Sequence, residues 1–201
     1  MTKPIPKITE GHLKLDVILT TMLSALAIPI HIAKIDFPLA PFLKFDLCGI
    51  PLTVAGFVNL PLSILLGLPI FYLGILLIGA TNPLSPLMKV VAEASTYIPM
   101  VYLYRYLRLH YHSVAKFSSL LLIAIAIASR SIVMVILNIL VTPLIATLFW
   151  GAPSYTVALN TIVIPILHII TLFNAISAAY ISTLSIPIIR MLNRIGIAVK
   201  Q

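Results

Sequence analysis

The sequence predicts an all-α integral membrane protein, a single bundle of six transmembrane helices, and three observations predict it. Charged residues make up only 9% of the 201, hydrophobic residues make up 61%, and the mean hydropathy is +1.14. A soluble domain carries about 25% charged residues, because it must cover its core with a wetted surface. Here lipid has to be the solvent over most of the area. The apolar residues also fall into blocks close to the roughly 20 residues that a helix needs to cross a bilayer. Finally, Lys and Arg are distributed between the blocks in a pattern that fits an even number of crossings.

The chain reads as one domain, 1–201, with spans at 15–32, 47–59, 61–80, 86–107, 117–143 and 168–189. The first is built on Val17 to Ile32 and reaches full length with Leu15. Leu47 to Ala80 is uncharged, but its 34 residues are too long for one crossing. Asn59-Leu60-Pro61 is the natural break, since proline removes a donor and disfavours helix in the residue before it. Gly67-Leu68-Pro69 is a rival break. The fifth span is expected to end near Pro143, with an apolar extension to Trp150. Pro165 is expected to separate a short loop helix from the sixth span.

Nine Lys and Arg fall on one side of six crossings: Lys3, Lys7, Lys14, Arg105, Arg108, Lys116, Arg190, Arg194 and Lys200. Lys34, Lys44 and Lys89 fall on the other, and Arg130 lies within the fifth span. By the positive-inside rule both termini are cytoplasmic in a multi-pass protein of the cell membrane. The net charge of +8 then reports topology, not a nucleic-acid partner. A secretory signal ending at Ala25-Leu26-Ala27 is the competing reading of the N-terminus, and its removal would spoil the even count.

Polar groups inside a membrane are costly and mark functional candidates. Arg130, Met134 and Asn138 recur at i, i+4, i+8, on one face of the fifth helix. Asn138 falls towards the outer end of that helix, and Asn174 within the first turns of the sixth. Lys44 and Asp46 belong to the first outer loop. The two carboxamides suit neutral heterocycles and hydroxyls, or they bond neighbouring helices. Arg130 either pairs with Glu93 or belongs to a site. His168 reads as a hydrogen-bonded helix residue, and Glu93 as a structural partner or helix-start residue. On the first helix Thr20 with Ser24, and Thr21 with Ala25, form small-xxx-small pairs, which serve internal packing or an external partner.

Cys48 is the single cysteine, so there is neither an internal disulfide nor a cysteine metal cluster. No phosphate loop, G-x-S-x-G or H-E-x-x-H occurs, and His110 and His112 lie in a basic loop. The expectation is a protein that is not an enzyme and has no cofactor or metal, and whose energy comes from a partner or an ion gradient.

Three stretches carry a family resemblance. They are Phe42-Leu43-Lys44-Phe45-Asp46-Leu47 with Ile50-Pro51 and Ala55 to Phe57; "RSIVMVILNILVTPL" with Met134, Leu137, Asn138 and Pro143; and Gly151 to Tyr155 leading to Phe173-Asn174. On these the chain resembles the substrate-binding S component of an energy-coupling factor (ECF) vitamin transporter, nearest the riboflavin-specific group. The resemblance implies six helices and a vitamin bound near the outer face, under the loop between helices one and two. It also implies docking through small residues of helix one (Thr20, Thr21, Ser24 and Ala25) onto a membrane coupling protein driven by two ATPases. Asn138 and Asn174 match positions that bond the flavin.

Two departures stand out. Ser177 replaces a lysine, and Cys48-Gly49 replaces Ser-Asp. Either a residue such as Arg130 compensates, or the ligand is a different small heterocycle. Phe42 and Phe45 offer flat faces to a ring, worth about 0.5–1.5 kcal/mol beyond burial for an aromatic pair. Lys44 and Asp46 are expected to anchor the loop over the ligand, against the alternative of an interfacial snorkelling pair. Pro51 suits the first turn of the second helix. A structural or assembly subunit, and an ion-coupled carrier using Glu93 and Asp46, are the rival functions.

Overall fold

A computed structural model describes residues 10–110, 116–195 and 197. Lys3, Lys7, His112 and Lys200 lie outside the described residues. Six helices follow one another: α1 (Glu10–Ile32), α2 (Gly49–Val58), α3 (Leu60–Leu77), α4 (Leu84–His110), α5 (Lys116–Phe149) and α6 (Tyr155–Arg194). The protein is an all-α membrane bundle. Leu13–Ile32, Leu60–Leu77, Ser119–Phe149 and Tyr155–Arg194 are long and apolar enough to cross a bilayer. α2 has only 10 residues, and α4 carries a charged cluster on its first turns.

The connection after α1 is not the plain loop that the sequence suggested. Ile35–Phe37 (β1) and Ala40–Phe45 (β2) pair antiparallel, with Asp36 opposite Lys44. The chain alternates direction, so α1, α3 and α5 finish at the hairpin end of the bundle, and α2, α4 and α6 begin there.

α2 is apolar on every side, as suits a helix enclosed by others, and nearly all its residues are buried. Glycine lets it approach α4: a methyl at Gly56 would lie 2.4 Å from the Tyr97 ring. The break before α3 falls at Asn59, whose backbone is extended. Its carbonyl oxygen caps α3 by accepting from the Leu62 N–H at 3.2 Å, and its amide donates to Asp16 at 3.3 Å.

Two proline expectations are corrected: Pro143 and Pro165 do not end helices. The helix also runs through Pro69, the rival break, in line with the span drawn from Pro61. Wider π turns at Ser63–Gly67 and Leu159–Val163 each finish two residues before a proline, and they let the backbone pass the ring without stopping. α5 continues through Pro143 to Phe149, and α6 through Pro165.

The small-residue face of α1 divides. Thr20 and Ser24 are fully buried, and a methyl at Gly67 of α3 would lie 2.6 Å from the Ser24 hydroxyl. This pair serves internal packing, so the docking expectation for Thr20 and Ser24 is withdrawn. Ala25 is exposed and Thr21 half-buried, on the outer side of the helix.

Candidate substrate-binding site

Beneath the hairpin lies a cavity of about 620 Å³, within the usual range of about 300–1,000 Å³ for a small-molecule site. Its walls come from the ends of α1 and α3, the start of α4, the middle of α5 and α6, and β2. Of the residues read from the sequence, Asn138, Asn174, Arg130, Lys44, Phe42 and Asp46 line it. Arg130, Met134 and Asn138 do so together, from one face of α5.

Phe45 and Ser177 do not line it. Phe45 stands behind the wall, its ring stacked on Phe173 at 4.9 Å and edge-on to Tyr180 at 5.7 Å. Phe173 is the ring that faces the cavity, and Phe42, 62% exposed, lies at its mouth. Ser177 is buried one turn further along α6, and its hydroxyl has no hydrogen-bond partner among the described residues.

Lys44 and Asp46 part company. Lys44 reaches across the hairpin to Asp36 at 3.1 Å, and both are largely exposed. A pair of this kind contributes about 0–1 kcal/mol. Asp46 is buried and collects partners from three helices. It accepts from His31 of α1 at 2.9 Å, from Lys89 of α4 at 3.1 Å and from the Cys48 N–H at 3.1 Å. Its backbone carbonyl accepts from the Tyr180 hydroxyl of α6. Burial opposes the Asp46 charge, but Lys89, His31 and the Cys48 N–H outweigh it and hold the carboxyl well below the usual carboxylate range. Asp46 is thus the foot of the hairpin.

From Asp46 a chain of alternating charge runs along the cavity floor. Lys89 lies 2.8 Å from Glu93, Glu93 lies 3.2 Å from Arg130, and Arg130 donates to Asn174 at 3.1 Å and to Thr96 at 3.2 Å. Both cations lie within ion-pair distance of the same Glu93 oxygen, and both its oxygens are buried. The two sequence readings of Arg130, ion pair and cavity group, both apply. Gly49 makes room: a methyl there would lie 2.2 Å from Glu93 Oε2. A side chain at position 49 and Glu93 in this place exclude each other, which gives the Cys48-Gly49 departure a physical reason.

Asn138 and Asn174 are both buried. Each donates to the carbonyl four residues earlier, Met134 at 2.8 Å and Ile170 at 2.9 Å. The Asn138 oxygen accepts from Thr142 of its own helix. Asn138 therefore ties no two helices together. His168 was expected to be hydrogen-bonded; it is exposed on α6.

Sequence reasoning missed His31, Tyr180 and the role of Lys89. The Lys89–Glu93 spacing of i, i+4 was the available signal for the last. His31, Asp46 and Cys48 place potential metal donor atoms within 4.8 Å of one another. The Lys89 ammonium against both Asp46 oxygens puts positive charge where a cation would sit. The cluster is better suited to a hydrogen-bonded anchor.

No family model matches the sequence, and no curated protein matches it. The architecture does match a solved structure, the S component of a bacterial ECF transporter. The two share a TM-score of 0.69 and 24% sequence identity, over 91% of this chain and 98% of that one. The chain has the S-component fold. In this fold the hairpin, the cavity and the charged floor all lie at one end of the bundle. Lys14, Arg105, Arg108, Arg190 and Arg194 sit on helix segments towards the other.

Proposed function

We propose that the protein is the substrate-capture subunit of an ECF-type uptake transporter in the cell membrane, with both termini cytoplasmic and the cavity open to the outside. It takes up riboflavin or a related small heterocycle. It acts by binding, not catalysis, and docks through the Thr21–Ala25 face of α1 on a membrane coupling protein driven by two ATPases.

The observation that carries this reading is Asn138. A buried carboxamide in a membrane is expected to knit helices together. Asn138 satisfies only part of its capacity, within its own helix, and turns towards a 620 Å³ space. A site for a ligand accounts for that; an assembly subunit does not. The Phe173–Phe45 stack supports it with a rigid wall for a flat ring. Asp46, at the foot of the hairpin, puts the lid under control of α1, α4 and α6, while Lys44 ties the two strands together through Asp36.

The test is purification in detergent, followed by absorbance and mass spectrometry of whatever co-purifies. A bound small heterocycle is expected, and Asn138→Ala and Asn174→Ala should each abolish it. Retention at wild-type affinity in both variants would overturn the site. Ala25→Trp should block uptake in cells while sparing binding.

A further inference from the structure

We infer that the ligand enters with an acceptor-rich edge, a pair of ring carbonyls or a carboxylate, against Arg130, and that cationic heterocycles are rejected. This rests on the capture reading and goes beyond it, because it assigns the chemistry of the recognised edge.

The inference comes from what the floor has left to offer. A guanidinium has five N–H donors. Arg130 gives Nε–H to Asn174, and Nη1 serves Thr96 and Glu93. Nη2, with two donors, has no partner among the described residues. The side chain is 2% exposed yet lines the cavity. Each asparagine NH₂ has spent one donor on its own helix, so Asn138 and Asn174 keep one each. The acceptors are in the opposite state. Asp46 is taken up by His31, Lys89 and the Cys48 N–H, and Glu93 lies behind Lys89 and Arg130. The Asn174 oxygen is used by Arg130, and the Asn138 oxygen by Thr142.

Four donors therefore remain on residues that line the space, against two half-used amide oxygens. The hydroxyls of Thr81 and Ser85 can serve in either sense. Formal charge points the same way. Asp46 and Glu93 are balanced by Lys89 and Arg130, and the Lys44–Asp36 pair is neutral. Lys34 at the wall has no ion-pair partner among the described residues. A cation would meet uncompensated donors and a net positive rim, whereas the oxygens of a ring dione or a carboxylate can accept from the free Nη2 N–H groups and the remaining asparagine N–H groups.

The experiment uses the full chain in lipid nanodiscs and three probes by equilibrium binding: riboflavin (neutral, with a ring dione), biotin (carboxylate) and thiamine (cation). Riboflavin or biotin should bind, and which of the two binds tells a dione edge from a carboxylate. Thiamine should not bind at the same concentrations. Arg130→Lys keeps the charge opposite Glu93 but removes the free Nη2 donors, and should weaken the bound probe at least tenfold. Asn138→Asp exchanges a donor for an acceptor and should do the same. Unliganded thermal unfolding of each variant shows whether it is folded. Thiamine binding as tightly as the better of the other two would overturn the inference and leave capture intact. So would affinities within twofold of wild type in both variants. If none of the three binds, the acceptor-edge inference falls; the capture reading falls with it only if no heterocycle co-purifies with the protein either.

Discussion

The two ends of the bundle hold their polar groups differently. Among the described residues of the far end Asn59 bonds Asp16, Asn193 bonds Tyr104, and the exposed Arg190 bonds Ser119. The space left there is about 90 Å³, close to Phe57 and Tyr104. At the hairpin end His31, Asp46, Lys89, Glu93, Arg130 and Asn174 form one connected series around a cavity of about 620 Å³. Apolar packing alone can stabilise a bundle, and buried ion pairs are weak evidence for stability. A connected series of charges gathered around an open space marks the hairpin end as the part shaped for a ligand.

The sharpest way to break this contrast is Arg130→Leu. It strands Glu93 without its partner on α5 and should destabilise the protein by about 3–5 kcal/mol, read as a fall in thermal unfolding midpoint in detergent. Adding Glu93→Gln should recover much of that loss, since removal of both partners leaves no stranded charge. If the single variant unfolds like wild type, the series is not a unit.

Asp46→Asn comes next. Hydrogen bonds to a charged group are worth about 1.5–3 kcal/mol, so the hairpin should loosen and ligand release should quicken by about tenfold or more. The sign of the pH dependence follows from the depressed carboxyl. Its contribution is fully present above the ordinary aspartate value of about 3.9 and is lost as pH falls through its lower folded value. Wild-type release should therefore be flat from about pH 5 upward and rise only in strong acid, while the Asn variant is fast throughout. Stopped-flow release across pH checks both.

At the tight end Gly56→Ala presses a methyl against Tyr97 and should cost about 1–3 kcal/mol in unfolding, while ligand affinity in the folded fraction stays within about twofold. The smallest effect belongs to Asn59→Ala, about 1 kcal/mol from the lost α3 cap, again without change in binding. An affinity change from either would blur the division between the two ends.

Much of the open end was legible in the sequence because its residues announce themselves. Arg130, Met134 and Asn138 share a helical face, and a charge inside an apolar span has few harmless explanations. The break at Asn59 followed from one proline. Pro143 and Pro165 misled because a π turn, or a helix wedged between others, can carry a missing N–H that an isolated helix cannot. The hairpin was hidden by its two prolines, Pro38 and Pro41, one of them in the turn and the other inside a short strand. Lys44 and Asp46 looked like a pair because they are adjacent in sequence. Strand geometry sends Lys44 across the hairpin, while the descent into α2 buries Asp46. Which of two equally spaced small pairs on α1 faces inward depended on Gly67, far away in the chain.

The most direct test is thiol labelling of Met134→Cys, on the cavity wall between Arg130 and Asn138, in sealed right-side-out vesicles. The native Cys48 is fully buried, and the unsubstituted protein provides the control. A membrane-impermeant methanethiosulfonate should reach position 134 from the outside, and saturating riboflavin, or whatever heterocycle co-purifies, should slow it at least tenfold. Reaction only from the cytoplasmic side, or at the same rate with the ligand present, would contradict a cavity that captures its substrate from outside the cell.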